Sequence, residues 1–384
     1  MSKLRILHLT AGSDAGGLSR YIFDLSSAMI SRGHEVTVAG EKGAWHWLFE
    51  KPQPGRAMVP WIELPLKGGP VSLAGCVRRL QRWIADAGGV DVIHCHYRKP
   101  TLVSRALQML GVRSRTGGRI PVLYTLHLSE LDLSWGRRWV SDFGDHTHVA
   151  STEGRDWMVE VAGIAPVRVS VVPHGVQPDK WPVTTSSQRV EARRELGVDP
   201  GDRVGVYVGR LDQRHPKNCP WLLDLAAAWG ERRQGLKLLL AGEGPDFGEL
   251  QSRIDREGLS RRVHLLGHRE PLSVYRAADL LLLPSGREGF SLVCAEAMCT
   301  GLPILRTRTA GTAETVVEGI TGRSVDIDRQ AFIRAALEML GDPALLESMR
   351  PAAAAHVRQH LPFTHQLDQT QTLYQHLTTG KVLP

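Results

Sequence analysis

The sequence predicts an α/β protein built from two doubly wound parallel sheets joined near the middle of the chain. Three observations carry that expectation. Short apolar, β-rich runs alternate with segments of helical spacing: LRILHLT is followed by LSRYIFDLSSAMISRG, where Leu18, Ile22, Leu25 and Met29 share one helical face. The alternation occurs in two series, separated by a polar stretch, VTTSSQRVEARREL (183–196). Gly-rich turns sit at the ends of the strand-like runs in two separate sets, which favours two halves over one large barrel.

The first series runs through LRILHLT (4–10), HEVTVAG (34–40), DVIHCH (91–96), PVLYTLH (121–127), HTHVAS (146–151) and VSVVPHG (169–175), with RALQML as helix between the third and fourth. The second runs through RVGVYVGRL (203–211), LKLLLAGEG (236–244), RVHLLGH (262–268), DLLLLPS (279–285) and LPILRT (302–307). Strands separated by helices of this length form a parallel sheet covered on both faces. The join falls near 176–200, and HQLDQTQTLYQHLTTG (365–380) reads as a final amphipathic helix. Residues 42–66, rich in Trp and Pro, show no clear period. They read either as an irregular connection packed on the first half or as a surface for an acceptor or membrane.

A chain of 384 residues with 42 % hydrophobic side chains has enough apolar material for two cores. No apolar run reaches the about 18 residues of a spanning helix. The start, MSKLRILHLTAG, reads as a buried strand rather than a signal peptide, so a cytoplasmic protein is expected, with the inner membrane face as an alternative site. The five cysteines (Cys76, Cys95, Cys219, Cys294, Cys299) form no CxxC pair, and no metal-ligand cluster is visible. Residues 1–120 carry a marked excess of Lys and Arg over Asp and Glu. That suits a phosphate-bearing or lipid-linked acceptor, or peripheral membrane contact, as well as a simple solvated surface. No nucleic-acid-binding motif accompanies the charge, and no nucleic-acid partner is expected.

Ligands of open parallel sheets bind beyond the carboxyl ends of the strands, so chemistry is sought at strand exits. GSDAGG (12–17) offers backbone N–H groups and a helix N-terminus to an anion, although many such turns only solve a tight bend, and it is not a dinucleotide GxGxxG. GRLDQRHPK (209–217) offers Arg210 and Lys217 to a diphosphate, or two ordinary surface cations. REGFSLVCAE (287–296) places Glu288 before a helix and Glu296 within it. Carboxylates there accept hydrogen bonds from sugar diols and favour positive charge developing on a sugar ring. His127 ends PVLYTLH, where a histidine can bond a ligand; His174 in VVPHG fits the same description.

Taken together, GGLSRYIFDLSSAMISRGHEVTV, DVIHCH, VVPHGV, VYVGRL, LLLAGEGP, ADLLLLPSGREGFSLVCAEAMCTGLPIL and TAGTAETVVEGITGRSV resemble, in order, the motifs of the retaining nucleotide-sugar glycosyltransferases of family 4. The resemblance covers nearly the whole chain and implies the GT-B fold: a Rossmann-like acceptor domain at 1–180, a Rossmann-like nucleotide-sugar donor domain at 195–364, and a tail, 365–384, packing back on the first, with a cleft between domains. It implies that Arg210 and Lys217, next to Gly209, bind the donor diphosphate in place of a metal ion. By the same resemblance Glu296 holds the ribose and Glu288 the donor sugar. The segment Gly289, Phe290, Ser291 and Leu292 presents N–H groups to sugar or phosphate, and Gly16 and Gly17 let a loop close over the diphosphate. His127 bonds the sugar, and Gly242, Gly244 and His268 border the base. A UDP-hexose donor, no cofactor, and a role in cell-envelope polysaccharide or glycolipid synthesis are implied likewise.

The cationic motif departs from the family form: RLDQRHPKN is longer than RLxxxKG, Asn218 stands where glycine is common, and Arg214 is available to share or replace the role of Lys217. After His127 the chain reads LSELD rather than HD. A nucleotide-sugar epimerase and a non-catalytic nucleotide-sugar-binding protein are the competing readings; interconversion of sugars without acceptor would mark the first, and absence of donor hydrolysis the second.

Overall fold

A computed structural model describes residues 3–12, 17–43, 45–50, 53, 55–134, 136–138, 141–213, 217–230 and 235–380. The chain divides into two units, one of Met1–Val172 with Gln366–Pro384 and one of Pro173–His365.

The first unit holds a seven-stranded, all-parallel sheet: β1 (Arg5–Thr10), β2 (Glu35–Gly40), β3 (Trp61–Glu63), β4 (Val92–Cys95), β5 (Val122–Leu126), β6 (His146–Val149) and β7 (Val169–Val171). Their spatial order is β3-β2-β1-β4-β5-β6-β7, the reversal at β1 being the doubly wound pattern. Side chains alternate across each strand. Leu7, Leu9, Ile93, Val122 and Tyr124 enter one core layer. Ile6, Val38, Val92 and Leu123 enter the other, with Tyr21, Ile22 and Leu25 of the helix Gly17–Ser31 and Leu367, Leu373 and Tyr374 of the helix Phe363–Thr379. The last helix therefore starts in the second unit's residues and ends in the first's.

The second unit holds β8 (Arg203–Val208), β9 (Leu236–Ala241), β10 (Val263–Gly267), β11 (Leu280–Leu283), β12 (Ile304–Thr307) and β13 (Gly322–Val325), again all parallel, in the order β10-β9-β8-β11-β12-β13. The buried run Leu280–Leu283 is central, paired with β8 and β12.

Three elements differ from the sequence expectation. The polar stretch 183–196 is no linker: Ser186–Glu195 is a helix, closed at its start by the reciprocal Thr185–Gln188 capping box. It is held on the unit by Arg193, whose Nη2 donates to both Asp279 oxygens at 2.8 Å. Only Ala192 and Arg193 of this helix are buried, so no apolar stripe announces it. The segment 42–66 is not wholly irregular, since Trp47–Glu50 is helical and Trp61–Glu63 extends the sheet beside β2. Pro173 cuts the expected strand 169–175 to Val169–Val171. Among the described residues no helix is long and apolar enough to cross a membrane, and all five cysteines are buried and free of disulfides.

Candidate functional site

In the second unit the loops leaving β8 and β9 run side by side beyond the strand ends. Gly209 N–H donates to Ala241 O and Leu211 N–H to Glu243 O, both at 3.0 Å. The packing is too close for side chains: a Cβ on Gly242, whose φ is +147°, would lie 1.8 Å from Gly209 O, and one on Gly244 2.1 Å from Leu211 O. These glycines thus have a packing reason to be glycine. Arg210 follows, 52 % exposed, its Nε donating to the buried Asp212 at 3.0 Å. Tyr207 Oη donates to Arg210 O at 2.9 Å; burial pushes that phenol well above its ordinary range, so it keeps its proton.

Lys217 and Glu288 come together although 71 positions separate them. Lys217 Nζ lies 2.6 Å from Glu288 Oε1, both side chains largely shielded from water. Asn218 explains the departure from glycine. Its φ is +49°, the only described non-glycine residue in the left-handed region, and its Nδ2 donates to Pro284 O at 2.8 Å where β11 ends. Asn tolerates that conformation better than other side chains, and here its amide also ties the loop to the neighbouring strand. Asn218→Ala is expected to cost about 1–2 kcal/mol through strain and the lost bond, and Asn218→Gly less than half of that. Denaturation midpoints of the two variants check this ordering, and equal midpoints would contradict it.

The segment after Glu288 is ordered by packing and capping. Gly289 and Phe290 are buried, and Ser291 caps the helix Leu292–Cys299, its Oγ accepting from Cys294 N at 3.3 Å. Phe290 meets His174 edge to face at a centroid distance of 5.5 Å. Glu296, half-buried in the helix, accepts from Tyr275 Oη at 3.3 Å. Burial first, and then the Glu296 carboxylate, raise the Tyr275 hydroxyl well above its usual range, so it remains a donor that orients Glu296. Beneath the loop after β12, Arg306 is fully buried. It donates to Gly311 O and Thr315 Oγ1 at 2.9 Å and to Thr309 Oγ1 at 2.7 Å. A Cβ on Gly311 would stand 3.1 Å from Phe290 Cα, so this fixed loop abuts the Glu288 segment. His268 is exposed just past β10.

In the first unit His127 is half-buried at the end of β5, and Gly17 is the exposed first residue of its helix. Gly16 and Arg214 lie outside the described residues. Behind His127 stands a polar cluster that the sequence reading missed. Register places His8 beside His94 and Thr125 beside His148, and the period of two sets His96 and His127 on the same face. His96 Nδ1 and His127 Nε2 are 3.0 Å apart. Burial holds His8 at about 3 and His148 at about 4; burial and the neighbouring histidines hold His94 and His96 well below the ordinary range. The repeated H-x-H in DVIHCH and HTHVAS was the available signal. Ring nitrogens of His8, His94 and His96 lie within 4.8 Å of one another.

Residues 15–180 match the family described as Glycosyltransferase Family 4, and residues 202–342 match Glycosyl transferases group 1. The chain is 30 % identical to a D-inositol 3-phosphate glycosyltransferase of Nocardia farcinica, over 89 % of this chain and 81 % of that one. A D-inositol 3-phosphate glycosyltransferase of Mycobacterium sp. is 28 % identical, over 82 % of this chain and 75 % of its own length. Among solved structures, HepE of Anabaena in complex with UDP and glucose superposes with a TM-score of 0.79 at 22 % identity, covering 96 % of this chain and 99 % of that one. A glycosyltransferase of Rickettsia africae reaches 0.85 at 16 % identity, over 99 % and 100 %. These likenesses, with the two parallel sheets, establish the GT-B fold.

Proposed function

The chain belongs to glycosyltransferase family 4, and from this premise we propose that it moves a hexose from a nucleoside-diphosphate sugar to a hydroxyl acceptor, with retention and without a metal ion. The observation that carries the reading is the Lys217–Glu288 ion pair at 2.6 Å, a cation and a carboxylate joined at the exits of adjacent strands β8 and β11. Lys217 and the exposed Arg210 supply positive charge for the departing diphosphate, Arg as a fork and Lys as a point charge. Glu288 accepts from hydroxyls of the transferred sugar and favours the positive charge that grows on its ring. Glu296, oriented by Tyr275, holds the ribose diol. The N–H groups of Phe290, Ser291 and Leu292 meet sugar or phosphate at the capped helix start. By the family resemblance alone, Gly17 is a proposed contact of the diphosphate and His127 of a sugar hydroxyl. The leaving phosphate oxygen takes the acceptor proton on the face it vacates, so no protein base is needed.

UDP is the proposed leaving group; HepE, a neighbour in fold, is solved with UDP and with UDP-glucose. The acceptor is proposed to be anionic, free or lipid-linked. The basic excess of residues 1–120 and the phosphate in the relatives' named acceptor support this.

Thermal shift against UDP, GDP and ADP is expected to show the largest stabilisation with UDP. At a hundredfold excess over Kd the gain is about 2.7 kcal/mol. No shift with any of the three would refute a nucleotide-sugar donor. Product anomers read by NMR are expected to keep the donor's configuration, and activity to persist in a chelator; inversion, or loss of activity restored by Mg²⁺, would refute the respective part.

A further inference from the structure

The histidine cluster of the first unit has one end that cannot be reversed. His148 Nε2 lies 2.8 Å from Val172 O, and a carbonyl only accepts. The proton is therefore on Nε2, and Nδ1 of the neutral ring accepts. Its nearer donor is Thr125 Oγ1 at 3.1 Å; Tyr21 Oη stands at 3.5 Å. Having given its proton, Thr125 accepts from His94 Nε2 at 2.6 Å. His94 Nδ1 then accepts from Tyr374 Oη at 2.7 Å, and Tyr374 accepts from His8 Nε2 at 3.4 Å, the longest link. His8 Nδ1 accepts from His96 Nε2 at 2.9 Å, and His96 Nδ1 from His127 Nε2 at 3.0 Å. Each hydroxyl and each ring passes the same polarity onward.

From this geometry we infer that the buried chain Val172–His148–Thr125–His94–Tyr374–His8–His96 is a positioning device that fixes the tautomer of His127, placing its proton on Nε2 and leaving Nδ1 as an acceptor for a ligand hydroxyl. Every ring in the chain is uncharged, so nothing buried is left unpaired or ionised. The rings of His8 and His96, 4° from parallel and 5.2 Å between centroids, meet edge to edge and bond each other rather than converge on a shared ion. His127 thus recognises a hydroxyl by taking its proton into a hydrogen bond. The functional consequence rests on the reading that His127 touches the donor sugar; the tautomer itself does not.

Long-range ¹H–¹⁵N correlation on the ligand-free, histidine-labelled protein reads the tautomers, with His127 assigned by the signals lost in His127→Asn. The expected result is Nε2–H at His127 and at the four histidines behind it. Nδ1–H or an averaged mixture at His127 would overturn the inference. Tyr374→Phe removes the hydroxyl in the middle of the chain and is expected to leave His127 a mixture; a pure Nε2–H tautomer in that variant would also overturn it. An even mixture halves the competent population, so the donor KM should rise about twofold with kcat unchanged. One equivalent of Zn²⁺ is expected to leave the spectrum untouched, and joint shifts of His8, His94 and His96 would establish a metal site instead. If His127→Ala leaves donor KM unchanged while the wild-type tautomer is as stated, the sugar contact fails and the positioning chain stands.

Discussion

Acidification from pH 7 to pH 5.5 is expected to destabilise the unit of Met1–Val172 and Gln366–Pro384 by about 5 kcal/mol, comparable to the whole stability of an ordinary domain. Four histidines of the buried cluster account for that figure, and His146, held at about 4 by burial first and then by His376, His148 and Arg168, adds to it in the same direction. Burial keeps His8 and His148 at about 3 and about 4, and burial with mutual repulsion keeps His94 and His96 well below the ordinary range. In the unfolded chain each titrates near about 6.5. Below that value the unfolded state binds protons that the native state refuses, so stability falls as pH falls, and it stops falling only near the native values. One pH unit below the unfolded value each group contributes about 1.4 kcal/mol, and that figure needs only that the native group remain neutral there. Denaturation midpoints followed from pH 7.5 to 5 test the expectation, with an uptake of about four to five protons on unfolding at pH 5.5. A flat profile would mean that the cluster is already charged in the native state.

Arg210→Ala and Glu288→Gln are each expected to lower kcat/KM by about three orders of magnitude, or about 4 kcal/mol of transition-state stabilisation. The two substitutions differ in what they do to the fold. Arg210 is 52 % exposed and, among the described residues, its short carboxylate contact is Asp212, so its removal should leave the melting temperature within a few degrees of wild type. Glu288→Gln keeps the side chain's shape but takes the charge from Lys217 Nζ, 2.6 Å away, and should also lower stability modestly. Initial rates with donor and acceptor, beside thermal melts, separate chemistry from folding. Full activity in both variants would refute the assigned roles of this loop and this carboxylate.

Much of the architecture was legible because buried parallel strands are near-continuous apolar runs. Leu280–Leu283 and Leu236–Ala241 could hardly be anything else. The missed pieces lack that signal for physical reasons. Strand Trp61–Glu63 is three residues long beside prolines, and Gly322–Val325 sits at a sheet edge with a polar sequence. The helix Ser186–Glu195 is held by a guanidinium on Asp279 rather than by an apolar face. At the site, the strand-exit rule led to the loops after β8 and β11 but not to the pairings the fold makes among them. Nothing in sequence relates Lys217 to Glu288, or Tyr275 to Glu296, because the fold alone makes them neighbours. Taken singly, none of the histidines marks the cluster. Their period of two within adjacent buried strands was the missing consideration.

The position of Tyr374 also sets an order of events during synthesis. Its hydroxyl joins His94 to His8, and its ring, with Leu367 and Leu373, completes a core layer whose other members lie before residue 173. The ribosome must therefore deliver all of Pro173–His365 before the unit that began the chain receives its last core residues. The second unit is contiguous and is free to fold while it emerges. The first must wait with a partly uncovered sheet face, so the domain synthesised first is the domain finished last.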